Sequence, residues 1–250
     1  MKKTSKTLIF FILTGYTIFM LFAVFVGVEV YKGIKTETKL STEFKEIETL
    51  INNSGLDDNK IDMKLNNYIT DGEYKEVEIA LKSYLKDLLV EFRRLDDIYT
   101  DNKLNSVIYL ENFDDDAPYF TSSISIIANK KHELEQIKDD LLDLFTEDKI
   151  MSYIAKLNLS WYYEEYYKSM LLNYDLLEEN KTSISDNITH SISILDAYNN
   201  YFTFLSDNAD YWTMDEDYIY FDSDELVDTY NYLLDIITNA NFSNGVENFI

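Results

Sequence analysis

The apolar positions of this chain form one continuous run followed by a succession of periodic stripes. The run is Leu8 to Val30, LIFFILTGYTIFMLFAVFVGVEV, uncharged until Glu29. A helix over the 21 residues from Leu8 to Val28 rises about 30 Å, enough to cross a bilayer's hydrocarbon core. Its polar interruptions are Thr14, Tyr16 and Thr17, and threonine hydroxyls in such a helix bond back to the preceding turn. The run exceeds the roughly 7–15 residues of a cleaved leader's apolar core. Ala23 and Gly27 also lack the small residue two positions earlier that cleavage requires, since Leu21 and Phe25 stand there. An uncleaved single-pass anchor is therefore expected. Lys2, Lys3 and Lys6 precede it without an acid, which keeps the N-terminal flank cytoplasmic. The expected layout is a cytoplasmic tail at 1–7, a transmembrane anchor at 8–30, a membrane-proximal stalk with a short helix at 31–56, an extracytoplasmic helical bundle at 57–239 and a flexible tail at 240–250.

After the run, the pattern predicts helix after helix. Leu40, Phe44, Ile47 and Leu50 mark a helix over 37–53, stopped by Asn52-Asn53-Ser54-Gly55. A short helix is expected over 60–70. Asp71 then caps a long one to Tyr99, whose face is Tyr74, Val77, Leu81, Tyr84, Leu88, Phe92 and Leu95. Residues 100–116 are less regular, with a helical turn at Val107 to Leu110. Asp116 and Pro118 read as a cap and a first-turn proline. They start a helix to Thr146 in which Ile137 and Leu144 share the burial where Lys131 and Lys138 break the stripe. A short helix is expected at 147–156 and another at 161–179, capped by Ser160. A turn over Glu178 to Thr182 would fold it back onto 183–206, where Ile184, Ile188, Ser191, Leu195, Tyr198, Phe202 and Leu205 alternate at 4 and 3. That heptad spacing predicts near-antiparallel helices in a bundle.

Residues 211–221 break the helical period. Tyr211 to Met214 and Tyr218 to Phe221 are β-formers around Asp215-Glu216-Asp217, which predicts a β-hairpin. A lone hairpin is marginal, so Trp212 and Phe221 must pack onto the bundle. A last helix, 224–239, is expected to turn Leu226, Tyr230, Leu233 and Ile237 inward. The fold class is therefore all-α: a transmembrane helix, then an antiparallel helical bundle with a small β-hairpin before the last helix.

Composition sharpens this picture. The chain holds 22 Lys+Arg against 46 Asp+Glu and no cysteine. Residues 33–250 carry 18 of the former and 45 of the latter. Such a surface repels nucleic acid and anionic headgroups and favours a basic partner. Disulfides and thiolate zinc are excluded. One proline, six glycines and 21 tyrosines give the profile of an AT-rich bacterial genome.

Little chemistry is encoded. His132 and His190 lie in neither Glu-x-x-His nor His-x-x-x-His spacing, so a di-iron or zinc-hydrolase arrangement lacks support. The acidic clusters at 114–116, 215–217 and 222–225 do not match a calcium loop and read as caps and turns. Ser83 and Lys86 form a Ser-x-x-Lys pattern, but the Ser-Asp-Asn and Lys-Thr-Gly elements that give it meaning are missing. The tract Trp161-Tyr162-Tyr163-Glu164-Glu165-Tyr166-Tyr167 is the most unusual local composition. Helical spacing groups Tyr163 and Tyr166 with Leu159 and Met170 as core. It leaves Tyr162 and Tyr167 on other faces as candidates for binding a partner. No cofactor, metal or catalytic residue is expected. The leading expectation is a non-catalytic interaction or adaptor protein at the outer face of the cell membrane. Its partner would present a basic or aromatic-accepting surface. The alternative is a small-ligand sensor bundle acting through a membrane partner. The sequence does not set an oligomeric state.

Overall fold

The computed structural model describes residues 35–215 and 218–239. The expected anchor at 8–30 and tail at 240–250 lie outside the described residues. Among those described, no helix is long and apolar enough to cross a membrane. The described chain is mostly helical. Its helices are α1 (Lys35–Ser54), α2 (Asn59–Asn66), α3 (Glu73–Tyr99), α4 (Asn102–Ile108), α5 (Phe113–Asp116), α6 (Thr121–Leu144), α7 (Glu147–Ser152), α8 (Trp161–Leu171) and α9 (Tyr174–Asp207). A 3₁₀ turn at Ala209–Tyr211 leads into strands β1 (Trp212–Asp215) and β2 (Tyr218–Phe221), and α10 (Asp224–Asn239) ends the described chain. Two compact units are present, with boundaries inside α3, α6 and α9. One comprises 35–96 and Ile137–Ser185; the other comprises Asp97–Gln136 and 186–239.

In the first unit, α1 buries Leu40, Phe44, Ile47 and Ile51, and α2 buries Ile61 and Leu65. Helix α3 buries two adjacent stripes. One is Val77, Leu81, Tyr84 and Leu88; the other is Glu78, Lys82, Leu85 and Leu89. A charged pair thus lies inside the unit. Lys82 and Glu78 each have 0% side-chain exposure and sit 2.7 Å apart, one helical turn from each other. Lys82 Nζ also donates to the carbonyls of Lys64 (2.9 Å) and Asn67 (2.6 Å) and lies 3.4 Å from Glu43 Oε1. Glu78 accepts from the Ile69 and Thr70 amides and from the Thr70 hydroxyl (2.6 Å). Burial pushes the Glu78 carboxyl up, but Lys82, Thr70 and Ile69 together outweigh it and hold the group below the usual glutamate range. Around this pair, Lys64 joins Glu43 (3.0 Å) and Glu46 (2.6 Å), and Arg93 donates to the Leu56 carbonyl (2.8 Å).

The second unit is held by aromatic packing. Phe120 has no exposure. Its ring lies 4.9 Å from Phe113, 5.0 Å from Phe202 and 6.2 Å from Trp212 between centroids. The Trp212 indole donates to the Leu205 carbonyl (2.8 Å). Polar links close the periphery: Tyr99 Oη to Ser191 Oγ at 2.6 Å, Lys131 to Asp196 at 2.6 Å and Lys130 to Asp101 at 3.2 Å.

The hairpin forms as the pattern predicts, antiparallel, with Trp212 opposite Phe221 and Asp215 opposite Tyr218. Three expectations are corrected. Helix α6 begins at Thr121, not at Pro118. Phe120 precedes it at φ +46°, a left-handed conformation that costs a bulky residue about 1–3 kcal/mol. Burial of its ring offsets that cost. Asp116 still caps the helix, reaching forward to the amides of Ser122 (3.1 Å) and Ser123 (2.7 Å). Second, no turn interrupts Glu178 to Thr182. The break comes at Leu172–Asn173, where Asn173 Oδ1 accepts from the Leu176 amide (3.3 Å) as an N-cap, and α9 then runs unbroken through 34 residues. The segment 178–182 contains no glycine or proline, and Leu177, Asn180 and Ile184 continue its buried face. Third, only Ile237 of the inward set on α10 is fully buried; Leu226, Tyr230 and Leu233 are half-buried.

Three expectations follow for denaturant unfolding of the full chain in detergent, monitored by circular dichroism. Lys82→Met leaves Glu78 buried without its cation and should cost about 3–5 kcal/mol. Glu78→Gln has a pH signature. A carboxyl held below its unfolded pKa contributes stability above that pKa and loses it as pH falls through the folded value. The Glu78→Gln penalty should therefore be largest near pH 7 and shrink below about pH 4.3; a penalty that is flat or grows in acid would show that the charge on Glu78 is not what stabilises. In the second unit, Phe120→Ala should cost about 3–5 kcal/mol, and a loss below about 1 kcal/mol would mean the aromatic cluster is not the core.

Candidate functional site

The aromatic tract separates into an inner and an outer part. Helix α8 places Tyr167 at 0% exposure, with its hydroxyl donating to the Ile150 carbonyl (2.7 Å). Burial pushes that phenol well above its ordinary range. Tyr167 is therefore packed as core, with Met170 and Leu171 buried on the same helix, and not on the outer surface expected for it. Tyr163 and Tyr166 are half-buried, edge-on to Tyr74 at 4.7 and 5.9 Å. Tyr162 stays 43% exposed, but its hydroxyl is engaged. Tyr162 and Tyr74 both donate to Glu37 Oε1, a carboxylate that is itself buried. The bond to Glu37 and partial burial hold the Tyr162 hydroxyl above its usual range. Tyr162 thus fastens α8 to α1. Trp161, at the start of α8, is 75% exposed.

A second aromatic surface lies on the hairpin. Strand side chains alternate between faces, and the register sorts them. Trp212, Met214, Ile219 and Phe221 share one face; Thr213, Asp215, Tyr218 and Tyr220 share the other. The first face is anchored. Trp212 is buried, and Phe221 meets Phe204 (6.0 Å) and Tyr230 (5.2 Å). The other face is open: Tyr218 is 67% exposed and Tyr220 55%. Two residues along one strand, their rings stand about 7 Å apart on a single side. Tyr211, Val227 and Tyr232 are also exposed on the flanking turn and on α10.

The electrostatics of this region are one-sided. After Lys181 the chain holds no lysine or arginine in 69 residues, against 13 Asp and Glu. Among the described residues, the ion pairs reach no acid beyond Asp196. Asp215, opposite Tyr218 on the open face, and Asp210, next to the exposed Tyr211 along the chain, are both exposed. The sequence contained this signal, an uncompensated acidic third interleaved with tyrosines. Reading the strands only for what they bury passed over Tyr218 and Tyr220.

The remaining candidates carry no convergent chemistry. His132 is exposed and paired with Gln136 (3.0 Å), and His190 is exposed. Among the described residues, no three His, Cys, Asp or Glu side chains are grouped to hold a metal. Asp116 is occupied by the amides it caps. Ser83 and Lys86 are half-buried on α3. In the first unit a groove of about 580 Å³ runs beside α1, lined by Thr38, Lys39, Thr42, Glu43, Glu46 and Ile69. It opens to solvent, and Lys39 is already spent on the Ile69 carbonyl (2.6 Å). Comparison with protein-family models, with curated proteins and with solved structures finds no significant match to this chain.

Proposed function

We propose that this protein is a membrane-anchored, extracytoplasmic interaction module without catalytic chemistry of its own. The observation that carries the reading is the open face of the hairpin. A monomeric domain gains nothing by presenting two tyrosines side by side to water, since each buries large apolar area when covered. Tyrosine is also a residue that interfaces favour. The fold supplies a rigid mount, because the opposite face of the same strands is pinned by Trp212 and Phe221. The apolar run Leu8–Val30 and the lysines before it support the tether and its orientation. The groove beside α1 opens to solvent, where a small-molecule site is enclosed, so it lends no support to a ligand sensor.

The tether and its orientation are open to a protease experiment. Protease added to intact bacterial spheroplasts should digest residues 33–250 while leaving cytoplasmic proteins whole. Protection until lysis would reverse the orientation. Release of the intact chain by carbonate wash would remove the anchor from the account.

A further inference from the structure

We infer that the open face of the hairpin docks a cationic, lysine- or arginine-bearing segment of another protein, its side chains lying over Tyr218 and Tyr220 and between the surrounding carboxylates. The inference rests on the reading of the chain as an interaction module and names the chemistry of the partner.

The face comes first. Tyr218 and Tyr220 project from one side of β2, with Thr213 and Asp215 beside them on β1. Their rings offer negatively polarised faces, and cations are attracted to such faces within about 6 Å. Charge then selects the occupant. Every acid from Asp207 to Asp235 belongs to a stretch with no lysine or arginine of its own. A second copy of this chain would bring the same acids to the same face, so self-association there is opposed by like charge. Anionic headgroups and nucleic acid are repelled for the same reason. A neutral partner would leave the carboxylates desolvated and unpaired, which is costly. A cationic segment alone answers both the rings and the charges. Arginine suits the site best, since its planar guanidinium both stacks on a ring and forks onto a carboxylate.

The experiment uses the full chain in nanodiscs of neutral phosphatidylcholine. The probe is a fluorescein-labelled 12-residue peptide of alternating Arg and Ser, followed by anisotropy at about 0.15 M salt, where distant charges are screened. The expected result is saturable binding that Tyr218→Ala/Tyr220→Ala weakens about five- to tenfold without any change of charge. Asp210→Asn/Asp215→Asn should weaken it comparably. Asp139→Asn/Glu179→Gln removes the same charge from exposed positions outside the hairpin and should leave affinity within about twofold, since neither residue belongs to the open face. Circular dichroism of each variant separates lost binding from lost fold, because all six side chains are exposed. Equal losses in both charge variants with no loss in the tyrosine variant would reduce the effect to diffuse attraction and overturn the inference. So would absence of saturable binding, or equal binding of a Glu-Ser peptide. Two further outcomes would reassign the face. Tyrosine-dependent binding to phosphatidylserine vesicles would give it to lipid, and a sedimenting dimer abolished by Tyr218→Ala/Tyr220→Ala would give it to a second copy. The peptide measurement does not depend on which side of the membrane the domain occupies, so its failure and that of the protease experiment are distinguishable.

Discussion

A lysine taken wholly out of water loses several kcal/mol of hydration, and the first unit is arranged around meeting that cost. Lys82 finds a carboxylate one turn away at Glu78, a second at Glu43, and two carbonyls at the end of α2. The partners come from three stretches of chain: Glu78 from α3 itself, Glu43 from α1 and both carbonyls from the end of α2. Satisfying one ammonium group therefore fixes α1, the end of α2 and the loop 67–70 against α3. Glu78 repeats the logic with opposite sign, drawing in the amides of Ile69 and Thr70. Removing Lys82 would leave Glu78 buried without a cation, whereas removing Glu78 would leave Lys82 only the longer contact to Glu43 as a counter-charge. The apolar residues supply the bulk of the driving force, but they would accept many arrangements; the ion network accepts few.

The second unit reaches order by another route. Phe113, Phe120, Phe202 and Trp212 form a cluster of rings whose geometry is set by shape. The cluster is strong enough to hold Phe120 in a backbone conformation it would otherwise avoid. It also secures one face of a two-stranded sheet too small to stand alone. Once Trp212 is inside, alternation leaves Tyr218 and Tyr220 no choice but to face outward. The proposed interaction surface is thus a by-product of burial on the other side of the same strands, which makes it rigid.

Much of this architecture was legible along the chain because helical and strand periods are local properties. The stripe on α3, the shared burial of Ile137 and Leu144 and the hairpin at 211–221 all follow from spacing. The errors arose where spacing was degenerate. Four tyrosines at 162, 163, 166 and 167 have the same hydrophobicity, so periodicity could not choose which pair faces inward. The Ile150 carbonyl chose Tyr167 and the Glu37 carboxylate took Tyr162. The turn expected at 178–182 rested on a cluster of polar residues, yet that cluster lacks any residue that breaks a helix. Asn173, with a cap to offer, decided the boundary instead. Glu78 and Lys82 were hidden because a charge beside an apolar stripe usually marks its solvent edge.

By itself, the sequence determined the helical class, the hairpin, the apolar N-terminal run and the acidic excess, since each depends only on neighbours along the chain or on composition. The tertiary structure decided which charges are buried, which tyrosines are core and which face of the hairpin meets water. Those outcomes depend on groups brought together from distant positions, where desolvation and hydrogen bonding, not periodicity, determine the lower free energy.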